Sequence, residues 1–207
     1  MKKSKKRVIV YVDGFNLYFG IKSKGWNDTL WLNIKELASA LLKDDQVLVK
    51  VKYFTSRVRD NPLKEKRQST YIEAIETISV ISIYYGHYQS NIEKCRKCGH
   101  IYPYGSEKMT YVNIATELIF DSFQDIYDIA IIISGDSDLV PPITAVRKSF
   151  PGKKIIIAFP PNRFNNVMKW AASGVLFINR SKLLASQFPD PVLKADGFLL
   201  SKPTEWT

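Results

Sequence analysis

The chain has 207 residues, 45% of them hydrophobic, which is enough apolar material for one main core. Lys and Arg number 30 against 20 Asp and Glu, and the resulting +10 favours polyanionic partners such as nucleic acid or an anionic membrane surface. No run approaches the roughly 18 to 20 apolar residues of a membrane span, Asp13 interrupts "VIVYV" long before a secretory leader would be complete, and two cysteines confined to "CRKC" argue against a disulfide framework; a soluble, cytoplasmic protein is expected.

The first predicted strand, "VIVYV" at 8–12, runs directly into "DGFN". "NIKELASALLK" at 33–43 has helical period, and "QVLVKVKYFTS" at 46–56 reads as the next strand. A basic stretch, "TSRVRDNPLKEKRQST", leads into a helix predicted over 62–78 with Pro62 in its first turn. A strand over 78–86 is followed by a turn-rich insertion at about 87–106 and a helix over 113–124. "IAIIIS" at 129–134 is a buried strand that ends in "GDSD", and Pro141 opens a helix over 141–150. A strand over 153–159, a helix over 165–173 and a strand over 175–179 complete the alternation. Beyond about residue 185 the chain becomes Pro-rich and loses helical period, so residues 183–207 are expected to be an extension wrapping a domain of residues 1–182. Strands alternating with helices imply an α/β fold with a mainly parallel sheet covered on both faces, whose strand C-terminal ends form the working edge.

Two acidic segments fall on that edge: Asp13 follows the first strand, and Asp136 and Asp138 follow a later one. Converging carboxylates repel unless a cation lies between them. Oxygen ligands without nearby His or Cys suit Mg²⁺, with Mn²⁺ as a ready substitute. Such a site does phosphoryl-ester chemistry, and the charge of the chain makes a phosphodiester the natural substrate. The competing interpretation is that Asp136 and Asp138 merely cap the helix near Pro141; the second strand-end aspartate, Asp13, tips the balance toward metal.

The insertion holds every Cys and His in the chain: His87, Cys95, Cys98 and His100. Cys-x-x-Cys-Gly is the tight turn of zinc knuckles, so a structural Zn²⁺ on these four residues is expected, against an ordinary loop or a redox pair. Positive charge concentrates at Arg57, Arg59, Lys64, Lys66 and Arg67 and in the N-terminal "KKSKKR", and Tyr84, Tyr85, Tyr88, Tyr102 and Tyr104 cluster near the insertion. Basic side chains neutralise phosphates and exposed rings stack unpaired bases, whereas a solvated charge run and buried rings are the plainer readings.

In "YVDGFNLYFG", "EKMTYVNIATEL" and "YDIAIIISGDSDLVPPITAVRKSFPGKKIIIAF" the sequence resembles the NYN family, also described as LabA-like PIN domains. The resemblance implies a PIN-like three-layer α/β/α domain with an acidic Mg²⁺ site and a role in RNA cleavage or processing. Carried over residue by residue, it makes Asp13, Asp136 and Asp138 metal ligands and Asn16 a polar neighbour. One departure stands out: Tyr111 occupies the position at the start of a helix where similar sequences carry Asp. Asn113, Glu107 and Glu117 are the nearby oxygen sources, Asn113 facing the pocket and Glu117 expected on a solvated helix face. The expected function is therefore a metal-dependent ribonuclease acting on single-stranded RNA, with a weakened RNA-binding or protein-interaction module as the alternative. A small-molecule phosphatase or nucleotide binder is a third reading, disfavoured because no GxGxxG follows the first strand. Association into a homo-oligomer is left open.

Overall fold

A computed structural model describes residues 4–59 and 61–206, and of these the side chains of all but 90, 91 and 102–107. The first strand, β1 (Lys6–Asp13), is central and buried from Val8 onward. Its side chains alternate between two cores, as the two-residue period of a strand requires: Val8, Val10 and Val12 face one, Ile9 and Tyr11 the other.

The first core lies under α1 (Gly14–Ser23), α2 (Ile34–Ser39), α3 (Pro62–Glu76) and α7 (Arg180–Ala185), which contribute Leu17, Ile21, Leu37, Ile75 and Leu183. The second lies under α4 (Thr110–Phe123), α5 (Val140–Ser149) and α6 (Asn166–Ala171), through Ile114, Leu118, Ile143 and Met168. Between them six strands pair in the order β3-β2-β1-β6-β7-β8. These are β2 (Gln46–Thr55), β3 (Ile81–Tyr85), β6 (Ile129–Ile133), β7 (Lys154–Phe159) and β8 (Gly174–Phe177) around β1, and every pairing is parallel. This is the expected three-layer α/β/α architecture.

The strands and most helices stand where their patterns predicted them, and the departures are local. Helix α1 follows β1 without a loop, although "GFNLYFGIKS" carries two glycines and an asparagine and reads poorly as a helix; the Asp13 carboxylate starts it by accepting the Asn16 N–H at 3.0 Å. The insertion is an antiparallel ribbon of β4 (His87–Lys94) and β5 (Ile101–Lys108), with the cysteines in the turn between them. After α7 the chain makes a short ladder of β9 (Val192–Leu193) and β10 (Leu199–Leu200), then brings Trp206 against Trp31 and Tyr71, with ring centroids 6.3 and 5.5 Å apart.

A buried ion pair lies against the second core. Lys52, on β2, is only 4% exposed. Its ammonium meets Asp121 at 2.6 Å and Glu117 at 2.5 Å, and Tyr11 donates its hydroxyl to Asp121 at 2.6 Å. Burial alone would lower the lysine's pKa, but the hydrogen bonds to Asp121 and Glu117 outweigh it and the net shift is upward. Glu117 is thus half-buried in an ion pair, which corrects its assignment to a solvated helix face. No helix among the described residues is long and apolar enough to cross a membrane.

Candidate functional site

Because β1 and β6 are neighbours in register, with Val12 opposite Ile133, the residues that follow them meet at one edge. Asp13 and Ser134 are both fully buried there. Ser134 donates its hydroxyl to Asp13 Oδ2 at 2.9 Å and accepts the Asp136 N–H at 3.1 Å. Asn16 braces the same edge from α1, its side-chain oxygen accepting the Gly135 N–H at 3.1 Å. Burial pushes the Asp13 carboxyl up to about 6 from an ordinary 3.8. The hydrogen bonds from Asn16 and Ser134 oppose that rise, Asp136 adds to it, and the nearby Arg163 charge reduces it.

Asp136 is half-buried and its Oδ1 accepts the Asp138 N–H at 2.9 Å, so it caps the short turn Ser137–Leu139. Capping and membership of the acidic edge are therefore the same geometry seen twice. Asp138 itself is exposed. Ser134 thus links the Asp13 carboxylate to the Asp136 backbone, and Asp138 lies two residues further round the turn. Among the described residues no group of three or more His, Cys, Asp or Glu is arranged to hold a metal.

A cavity of about 600 Å³ opens beside this edge. Asp136, Asn16, Tyr111 and Arg163 line one end, while Tyr18, Tyr53, Tyr71 and Trp206 supply aromatic wall, and Lys64 and Arg67 reach it from α3. Asn113 is not among the lining residues; its amide donates to the Tyr85 carbonyl at 3.3 Å and ties α4 to β3, which corrects its expected role in the pocket. Of the five expected RNA-binding residues, Lys64 and Arg67 line the cavity, and Arg67 also pairs with Glu205 at 2.6 Å. Arg57 is held on Tyr85, bonding its hydroxyl at 2.9 Å and lying 5.0 Å from its ring centre. Arg59 and Lys66 face solvent. Tyr84 is stacked on Phe54 at 4.9 Å, and Tyr88 lines the cavity. The side chains of Tyr102, Tyr104 and Glu107, and Lys2 and Lys3 entirely, lie outside the described residues.

Arg163 was not anticipated. It follows β7, the strand next to β6, so the strand-end rule that found Asp13 and Asp136 could have found it too. Two glycines let its loop close on the site: a Cβ at Gly135 would come within 1.8 Å of the Arg163 carbonyl oxygen, and one at Gly20 within 2.7 Å of Pro161 O. Its Nε is buried without a hydrogen-bond partner, a donor left for an incoming acceptor.

The four expected zinc ligands are divided. His87 pairs with Lys108 at the base of the ribbon, whereas Lys94 pairs with Ile101 next to the turn that carries Cys95, Cys98 and His100. Seven residues of extended strand, roughly 23 Å at about 3.3 Å each, separate base from tip. His87 therefore does not join the cysteines, and the four-ligand arrangement is corrected on that ground.

The profile described as NYN domain matches residues 7–179. A Pseudomonas putida protein named 6-hydroxy-3-succinoylpyridine 3-monooxygenase HspA is 26% identical over 220 residues, an alignment covering 88% of this chain and 70% of that protein. The crystal structure of a Vibrio parahaemolyticus protein of unknown function has the same fold, with a TM-score of 0.55 and 14% identity over 87% of this chain and 97% of that one.

Proposed function

The chain belongs to the NYN domain family, a PIN-like nuclease family, and from that membership we propose that it is a metal-dependent ribonuclease that hydrolyses single-stranded RNA at the edge formed by Asp13 and Asp136. The observation that carries this reading is the link at the ends of adjacent parallel strands, where the Ser134 hydroxyl donates to the buried Asp13 carboxylate and accepts the backbone N–H of Asp136, whose own side chain lines the cavity.

The residues suit a hard divalent cation. Asp13 holds a carboxylate in a buried site where its charge is poorly compensated, and Asp136 beside it faces the cavity. Mg²⁺ or Mn²⁺ takes one or two carboxylates and completes its shell with water, so Asp136 as ligand with Asp13 behind it is a sufficient set. When bound, the ion polarises the phosphate and stabilises charge on the leaving oxygen. Around it, the unpartnered Nε of Arg163 donates to a phosphate oxygen, Lys64 and Arg67 neutralise neighbouring phosphates, and the tyrosines of the cavity wall stack a base. Arg67 must exchange Glu205 for phosphate to do so.

Tyr111 lines the cavity where similar sequences place an aspartate, and a phenol offers no charge at neutral pH. That observation favours weak cleavage with RNA binding retained, the module reading of the same surface. The monooxygenase name of the Pseudomonas relative suggests another occupant, a small aromatic acid with its ring among Tyr18, Tyr53 and Tyr71 and its carboxylate on Arg163. One experiment separates these. A labelled single-stranded RNA is incubated with the chain and with Asp13→Asn in Mg²⁺ and in Mn²⁺. Cleavage lost in the variant supports the nuclease; binding without cleavage in both supports the module; displacement of RNA by aromatic acids supports the third.

A further inference from the structure

Beyond Tyr88, which lines the cavity, the ribbon is left unused by the proposed nuclease function. Two strands of eight residues each project from the domain, and their described side chains are largely exposed. An isolated two-stranded ribbon is at best marginally stable in water and is normally stapled by a metal or covered by a partner. At its tip the chain turns tightly: the Cys95 N–H donates to the His100 carbonyl at 2.8 Å, the Gly99 N–H to the Cys95 carbonyl at 2.9 Å, and Gly99 adopts φ +73°, which suits glycine.

The backbone N–H groups of Cys98 and Lys97 point at the Cys95 sulfur and, with the Cys98 thiol, favour its thiolate. Backbone amides aimed at a sulfur are what a thiolate–metal turn needs. Cys95 is half-buried and Cys98 exposed, both are free thiols, and among the described residues no third Cys, His, Asp or Glu stands with them in a metal-binding group. The tip is thus half of a tetrahedral site.

We propose that Cys95 and Cys98 bind zinc as a half-site shared with the same two residues of a second copy of this chain, so that one Zn²⁺ held by four thiolates joins two ribbons tip to tip. Structural zinc is four-coordinate and accepts Cys₄ sets. The charges agree: four thiolates and one Zn²⁺ sum to 2 − 4 = −2, and each tip brings Lys94, Arg96 and Lys97 to compensate it. Without the metal two such cationic tips repel. Ile92 and Ile101 give the contact an apolar component. They lie on one face of the ribbon, where Ile101 is paired with Lys94 and Ile92 is two residues before it, and they are 81% and 61% exposed.

The test uses the full chain purified without added metal. Zinc content is measured by elemental analysis and mass in solution by light scattering, before and after chelation and after zinc is restored. Expected are one zinc per two chains, a dimer, and a rise of about 100-fold or more in its dissociation constant on chelation, reversed by zinc. Co²⁺ substitution should give thiolate charge-transfer bands and the visible absorption of a tetrahedral site. Cys95→Ser and Cys98→Ser should each lose both metal and dimer while far-UV circular dichroism stays unchanged, and His100→Ala should keep both. One zinc per chain in a monomer, loss of zinc in His100→Ala, a Cys95–Cys98 disulfide in place of metal, or a dimer that survives chelation would each overturn the proposal. Chelation of the native chain keeps the test valid if a serine variant fails to fold.

Discussion

The acidic edge and the ribbon put chemistry-bearing residues in opposite settings. At the edge, Asp13 and Ser134 are fully buried and held by hydrogen bonds that involve α1 and the residues after β6. At the ribbon tip the turn is held by backbone hydrogen bonds and by contacts to the Cys95 sulfur, and its side chains are largely exposed. A site built on a packed sheet is preorganised at a cost in stability, since it buries charge; a site built on a projecting turn costs the fold little and depends on what it meets.

That contrast can be broken most sharply in the core. Replacing Lys52 by Met leaves Asp121 and Glu117 without their cation, and the expected loss is about 3 to 5 kcal/mol in urea unfolding. The double change Cys95→Ser with Cys98→Ser should stay within about 0.5 kcal/mol in the chelated protein. Similar losses for the two would mean that the ribbon is part of the cooperative core.

Asp13→Asn should reduce cleavage by about 100-fold or more, and in chelator it should also stabilise the fold. Asp13 has a raised carboxyl, near 6 in the folded chain against an ordinary 3.8, so the folded state holds the proton more tightly than the unfolded one. Stability is therefore greatest below about pH 4 as far as this group is concerned and declines as pH rises to about 6, by roughly 2 to 3 kcal/mol in all. The variant lacks this decline, and Mg²⁺ should stabilise the native chain at pH 7 but not the variant. Thermal melts across pH 4 to 7, with and without Mg²⁺, read all three effects.

Tyr111→Asp should raise cleavage by about tenfold and tighten Mg²⁺ binding, provided that folded fractions are matched first, because the tyrosine also packs on the second core. Unchanged cleavage and affinity would remove position 111 from the metal site. The smallest effect is expected on the basic rim. Lys64→Ala should lower the salt dependence of RNA binding by about 0.7 in log–log slope, and Lys66→Ala, which faces solvent, by less. Equal effects from both would make the rim a diffuse field instead of a set of contacts.

The strands were legible because Val and Ile runs bounded by polar residues have few other interpretations, and Asp13 and Asp136 followed from them as strand ends. What escaped was what depends on neighbours. Helix α1 needs the Asp13 carboxylate to start it, and its own glycines and asparagine argue against it. Lys52 alternates into the core like any strand residue, but only Asp121 and Glu117, some 65 positions away in sequence, make that tolerable. Asp138 was grouped with Asp136 as part of one strand-end segment and by the family resemblance, and its exposure on the turn is not visible in the sequence. Arg163 carries no motif and is placed by its loop closing on Gly20 and Gly135. His87 lies close to the cysteines in the sequence, yet an extended strand carries it to the far end of the ribbon.

The strand order has a consequence of its own. From β1 the chain passes through α1 on one face of the sheet, and from β6 it passes through α5 on the other, so the two connections part company at the point where their strands touch. A crevice at that divide is a property of the chain's path, present before any side chain is chosen. The fold thus guarantees an opening beside Asp13, while the reaction carried out there rests on a handful of residues that can change without disturbing the scaffold. Tyr111, which lines the cavity, is one such residue.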